Sequence, residues 1–154
     1  MKVFRIAKTQ YIHSLDGVGA SLYGGRWNLK GTYMVYAAEN RSLAALEFLV
    51  NLSVPWVPPD CSIIEIEIPN KLVETLDLSQ LPADWRSNPA PEALARLGSA
   101  WAHAMKSLAL RVPSAVIPKE WNLLLNPLYP HFTQHIRVSI PEVFTYDTRL
   151  IAPG

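Results

Sequence analysis

The stretch Ser62-Ile63-Ile64-Glu65-Ile66-Glu67-Ile68 alternates along the chain, with Ile64, Ile66 and Ile68 on one side and Ile63, Glu65 and Glu67 on the other. A period of two is the mark of a pleated strand with one face on a core and the other half-exposed. Pro69 closes the strand, because proline has no N–H to give to a ladder. Outward from it, Lys2–Ile6, Tyr33–Ala38, Val73–Leu78, Leu110–Val112, Ala115–Ile117, His135–Ile140 and a segment near Val143–Leu150 read as further strands. Two segments change to a helical period. Asn40 and Ser42 offer N-cap chemistry to a helix through about Leu52, with Leu43, Leu46, Leu49 and Val50 as its apolar stripe and the Pro55–Pro59 cluster as its end. Pro91 suits a first helical turn, and Leu94, Leu97, Trp101, Met105 and Leu108 follow at spacings of three and four. The expectation is an α+β fold, a mixed β-sheet core with two main helices. Ser14–Gly31 shows no period and reads as a long ordered loop, a kind of segment that is usually functional or mobile.

The chain has 154 residues, 49% apolar and 18% charged, enough for one compact domain over residues 1–154 and too apolar for intrinsic disorder. Fourteen Lys and Arg face 13 Asp and Glu, and a net charge of +1 leaves no broad field to hold a nucleic-acid backbone. Cys61 is the single cysteine, which excludes an internal disulfide and a thiolate cluster and points to a reducing compartment. His13, His103, His131 and His135 lack metal-ligand spacing, so no metal is expected. No run reaches the roughly 18 apolar residues of a membrane span, and a soluble, cytoplasmic protein is expected. Trp56 and Trp85 lie in proline-rich stretches, where they either anchor an interface or tuck into the core.

Three features carry chemistry. Glu47 lies four residues after Leu43 and three before Val50, so it points with the stripe toward the interior. A buried carboxylate is costly, so Glu47 either reaches solvent or an arginine at the stripe's edge, or it has a function there. In Leu22-Tyr23-Gly24-Gly25-Arg26-Trp27-Asn28, paired glycines allow close backbone approach, and an arginine framed by Tyr23, Trp27 and Asn28 suits a nucleotide diphosphate. The same run also reads as a plain glycine turn with Arg26 stacked on Trp27. Ser114 and Asn126 lie just beyond short apolar strands, where they either line a cleft or serve the turns beside Pro113 and Pro127. No nucleophile elbow is present, and Cys61 has no adjacent base.

Taken together, Leu15-Asp16-Gly17-Val18-Gly19-Ala20, Tyr23 through Asn28, Gly31-Thr32, Val35-Tyr36-Ala37, Leu43 through Glu47, Val112-Pro113-Ser114 and Asn122 through Pro127 closely resemble the RES-domain family, from about Phe4 to Ile140. The family is named for an Arg, a Glu and a Ser, which correspond to Arg26, Glu47 and Ser114. One departure is Tyr129, where a histidine often precedes the second proline. The resemblance implies an ADP-ribosyltransferase-like fold and a toxin of a type II toxin–antitoxin system that consumes NAD⁺, with an Xre-like helix-turn-helix antitoxin through which it oligomerises. It further implies cleavage of the nicotinamide N-glycosidic bond, with ADP-ribose passed to water, phosphate or a protein. Glu47 would face the developing cation and Arg26 the pyrophosphate, with Arg5 as a second phosphate ligand and Asn28 beside it. Tyr36 would stack on nicotinamide, while Ser114 and Asn126 orient the ribose or amide. A non-catalytic nucleotide-binding module is the contrasting expectation from a different class.

Overall fold

The alternating segment forms a strand at Cys61–Glu67, and the sheet is built around its ladder with the amino-terminal strand. The computed structural model describes residues 1–52 and 58–151, so Trp56 lies outside the described residues. Its strands are β1 (Lys2–Lys8), β2 (Val35–Ala38), β3 (Cys61–Glu67), β4 (Val73–Thr75), β5 (Ala109–Pro113), β6 (Trp121–Leu125), β7 (Arg137–Val138) and β8 (Glu142–Phe144). The helices are α1 (Val18–Tyr23), α2 (Arg41–Val50), α3 (Glu92–Ala104) and α4 (Phe132–His135). The strand order is β4-β5-β6-β2-β1-β3-β7, with β8 also paired to β3. Among the described residues, only the β4–β5 pair is parallel. This is the mixed α+β fold expected, with α2 and α3 as its two long helices.

Both long helices cover one face of the sheet, at opposite ends of it. Through Leu43 and Ala44, α2 packs on Ile6, Ala38, Cys61 and Ile63. Through Leu94 and Ala102, α3 packs on Leu110, Val112 and Leu124, with Trp27 between. The register pairs Tyr36 with Leu124 and Ala38 with Asn122, and cross-strand partners share a face. Tyr36 and Asn122 therefore lie on the helix-covered face, between the two helices. The opposite face buries Val3, Val35, Ala37, Ile64, Ile66, Leu123 and Leu125. The β1–β3 ladder is continuous from Lys2–Glu67 to Lys8–Cys61. By contrast, β1 meets β2 at one register pair, Phe4 with Ala38, and beyond it the two strands part.

Several expected elements differ, for identifiable reasons. The half-exposed strand is buried on both faces from Cys61 to Ile64, because α2 covers the second face. Ala115–Ile117 is a bend, because Ser114 Oγ accepts hydrogen bonds from the Val116 and Ile117 N–H groups at 3.0 Å. A central strand occupies Trp121–Leu125, whose Leu123-Leu124-Leu125 run has no alternation because both faces are covered. The Ser14–Gly31 loop contains α1, entered through a left-handed Gly17. Helix α3 stops at Ala104, with Met105 left-handed at φ 56°, so Met105 and Leu108 lie beyond it. The expected His135–Ile140 strand is the end of α4 followed by β7, and the last strand shortens to β8 before a 3₁₀ turn at Thr148–Ile151. Val73–Leu78 is strand only through Thr75. Trp85 is half-buried against the α3 core rather than displayed.

Candidate functional site

Helix α2 begins where the Asn40 side chain accepts the Leu43 N–H at 2.7 Å, which sets the rotation of every later residue. Leu43, Ala44, Glu47 and Phe48 fall on one face at helical spacing, and Leu43 and Ala44 are buried there while Val50, placed by its sequence in the apolar stripe, is exposed. Glu47 thus points at the sheet from an apolar surface, as its spacing implies. It is neither loose in solvent nor paired to an arginine by a salt bridge. Ser114 Oγ donates to Glu47 Oε1 at 2.8 Å, and Asn122 Nδ2 donates to the same oxygen at 2.7 Å. Among the described residues, Oε2 has no hydrogen-bond partner, and Glu47 lines the two cavities that meet at this point.

The larger of the two is about 570 Å³, walled by Gly24, Gly25 and Arg26 on one side, Ala115 and Val116 on the other, and Tyr36, Glu47 and Asn122 at its base. The smaller, about 190 Å³, extends from the same three residues to Arg5 and Phe48 between the parting strands. A third, of about 760 Å³, runs under α1 and shares Arg5 and Tyr36. Tyr36 stands at the junction of all three.

The Gly24–Asn28 run is a tight turn closed by a Gly25–Asn28 bridge. Tyr36 donates its hydroxyl proton to Asn28 Oδ1 at 2.6 Å and accepts the Trp27 N–H at 3.1 Å. Burial pushes the Tyr36 phenol far above its ordinary value, so it stays protonated. A Cβ at Gly25 would fall 2.7 Å from that hydroxyl and 2.8 Å from Asn28 Oδ1, which is why glycine stands there. Arg26 is half-buried in the cavity wall. Its Nη1 and Nη2 donate to the carbonyls of Trp85 at 2.8 Å and Ser87 at 3.1 Å, so it fastens the 85–87 segment across the cavity rather than stacking on Trp27. Burial draws the Arg26 guanidinium below its ordinary value, and the Glu47 charge across the cavity opposes this. Arg5 is drawn down likewise by burial, against Asp16, and among the described residues its Nη1 is buried without a partner.

Two expected contacts are not brought to the cavity as free groups. Asn28 is buried, with Oδ1 accepting from Tyr36 and Nδ2 donating to the carbonyls of Ala20, Leu29 and Thr32. Asn126 is buried at the other end of β6, where Nδ2 donates to the Ala102 carbonyl and Oδ1 accepts the Leu128 N–H. Ser114 is brought to the site but acts on Glu47, since its one proton goes to that carboxylate. Asn122 carries no role of its own in the sequence reading. Its signal is the one that exposes Glu47: a polar residue set against the Leu123-Leu124-Leu125 run. Among the described residues, no group of three or more His, Cys, Asp and Glu side chains could hold a metal, and no helix is long and apolar enough to cross a membrane.

Comparison with known proteins places this geometry in context. The RES domain model matches residues 2–147. A protein named Toxin Res from Photorhabdus laumondii is 36% identical over 152 residues, covering 98% of this chain and 97% of its own. Another Toxin Res, from Yersinia enterocolitica, is 38% identical over 151 residues, covering 97% and 99%. A protein named Prs ADP-ribosylating toxin, from a Sphingobium species, is 36% identical over 148 residues, covering 94% and 91%. Among solved structures, a chain of the M. tuberculosis MbcT-MbcA toxin–antitoxin complex shares the fold with TM-score 0.73 at 16% identity, covering 97% of this chain and 86% of that one.

Proposed function

The chain belongs to the RES domain family, and from that premise we propose that it is the toxin of a toxin–antitoxin pair and cleaves NAD⁺ at the nicotinamide N-glycosidic bond, passing ADP-ribose to water or phosphate. The observation that carries this reading is the Glu47 carboxylate, fixed through Oε1 by Ser114 and Asn122 and unbonded at Oε2 where two cavities meet. Breaking the bond to nicotinamide develops an oxocarbenium ion on the ribose, as in glycoside hydrolysis, but the cationic leaving group departs neutral and needs no general acid. The site then needs a carboxylate already aimed at the cation. At about 4 Å and an effective dielectric near 20, the attraction is on the order of 4 kcal/mol before desolvation is subtracted.

The other residues take roles their surroundings support. Tyr36 offers its ring to the nicotinamide while its hydroxyl holds the Gly25–Asn28 turn in shape. Arg26 gives positive charge to the diphosphate from the cavity wall, and Arg5 is the second cationic ligand through its unpartnered Nη1. Ser114 positions Glu47, and Asn28 and Asn126 build the surrounding backbone. The relative named as an ADP-ribosylating toxin supports NAD⁺ as substrate and favours a second reading, transfer of ADP-ribose to a cellular protein. The solved toxin–antitoxin complex supports an antitoxin partner, which we take to be an Xre-like helix-turn-helix protein that assembles the complex in the cytoplasm.

Mass spectrometry of NAD⁺ incubated with purified protein, with and without phosphate and with cell extract, tests this. Free nicotinamide with ADP-ribose or its phosphorylated form is the expected result, and labelled protein bands would select the second reading. No loss of NAD⁺ under any of these conditions overturns both.

A further inference from the structure

Asn122 is held on β6 by register pairs with Ala38 and Val112, and its amide orientation is fixed. With Nδ2 2.7 Å from Glu47 Oε1, the reversed amide would set two oxygens against each other. The carbonyl oxygen Oδ1 is consequently directed away from the carboxylate, and among the described residues it is buried without any hydrogen-bond partner. Asn122 lines both cavities that meet at Glu47. A buried carbonyl with no donor is unfavourable in the free protein, and a ligand donor relieves it.

The unbonded acceptors here are Glu47 Oε2 and Asn122 Oδ1, on two groups bonded to each other. Adjoining acceptors read adjoining donors, and the vicinal diol of a ribose is such a pair. We propose that Asn122 is a specificity-determining residue that accepts a hydrogen bond from the 3′-hydroxyl of the nicotinamide ribose, while Glu47 accepts the 2′-hydroxyl beside the reacting carbon. This rests on the NAD⁺ reading above.

The test compares NAD⁺ with its analogue lacking the 3′-hydroxyl on the nicotinamide ribose, a position remote enough to leave the broken bond unchanged. Nicotinamide release gives kcat/KM for wild type, Asn122→Ala and Asn122→Asp, and calorimetry gives binding of both compounds to wild type. Wild type is expected to disfavour the analogue by about 10- to 100-fold, the loss of one hydrogen bond to a buried acceptor. Asn122→Ala is expected to be slower on NAD⁺ and indifferent between the two. Asn122→Asp keeps the acceptor, so it retains the preference while kcat falls, because a second charge faces Glu47. Equal use of both compounds by wild type, or undiminished discrimination by Asn122→Ala, overturns the assignment. If Asn122→Ala does not fold, loss of discrimination in a folded Asn122→Asp overturns it. Wild type that neither binds nor consumes NAD⁺ defeats the NAD⁺ reading and this assignment together, whereas equal use in an active wild type defeats this one alone.

Discussion

Ser114 and Glu47 stand 67 residues apart and are joined by a 2.8 Å hydrogen bond in which the serine hydroxyl donates. The same oxygen accepts two backbone N–H groups of the following bend. The bend and the carboxylate are therefore set by one atom, which ties the aim of Glu47 to the course of the chain after β5.

Ser114→Ala removes the donor to Glu47 and leaves two backbone N–H groups without their acceptor. We expect stability to fall by about 1–3 kcal/mol and kcat on NAD⁺ by about 10- to 100-fold, with KM changing far less because the serine does not line the cavities. Urea unfolding and steady-state kinetics on one preparation check both.

Glu47→Gln keeps the side-chain shape and an oxygen to accept from Ser114 or Asn122, but removes the charge. Turnover should drop by about 100-fold or more, comparable to deleting an electrostatic stabiliser in other enzymes. The melting temperature should move little. A fully active variant would take Glu47 out of the mechanism.

Gly98→Ala puts a Cβ 1.8 Å from the Trp27 carbonyl oxygen, a backbone atom that has no rotamer to yield. The substitution should cost about 3 kcal/mol or more and disturb the neighbouring Arg26 turn, lowering activity as well. Gly19→Ala, in α1 with nothing within 4 Å of the new Cβ, should instead be neutral or stabilising by roughly 0.5–1 kcal/mol. Denaturant midpoints of the two variants give the contrast.

Burial raises the phenols of Tyr36 and Tyr146, the latter to about 12. Both hydroxyls donate in the fold, Tyr36 to Asn28 and Tyr146 to the Ala45 carbonyl. A raised folded value means that the native state holds the proton longer than the unfolded chain does. Their contribution is therefore complete below the ordinary tyrosine value near 10 and declines as pH rises above it. Unfolding free energy measured from pH 8 to pH 12 should fall across the upper half of that range, and Tyr36→Phe should lessen the fall.

The elements legible in the sequence were those whose period is imposed by one covered face. Glu65 and Glu67 mark the open side of β3, and Leu94 with Leu97 marks α3. Where both faces are covered the period vanishes, and β6, with three consecutive buried leucines, left no alternation to read. Glu47 could be found because a carboxylate on an apolar surface is conspicuous without coordinates. That Arg26 binds carbonyls of the 85–87 segment, and that Asn28 spends its amide on Tyr36 and on the carbonyls of Ala20, Leu29 and Thr32, could not. Those depend on segments meeting across the fold, and a residue's type specifies what it can bond but not which partner arrives.

The single register pair between β1 and β2 has a bearing on how the cleft can vary. Past Phe4 and Ala38 the two strands share no further register pair among the described residues, and the smaller cavity lies between them, inside the sheet rather than at its rim. A gap set by strand register is independent of side-chain identity, so the walls of this cleft can drift in sequence while the parting of the two strands beneath them persists.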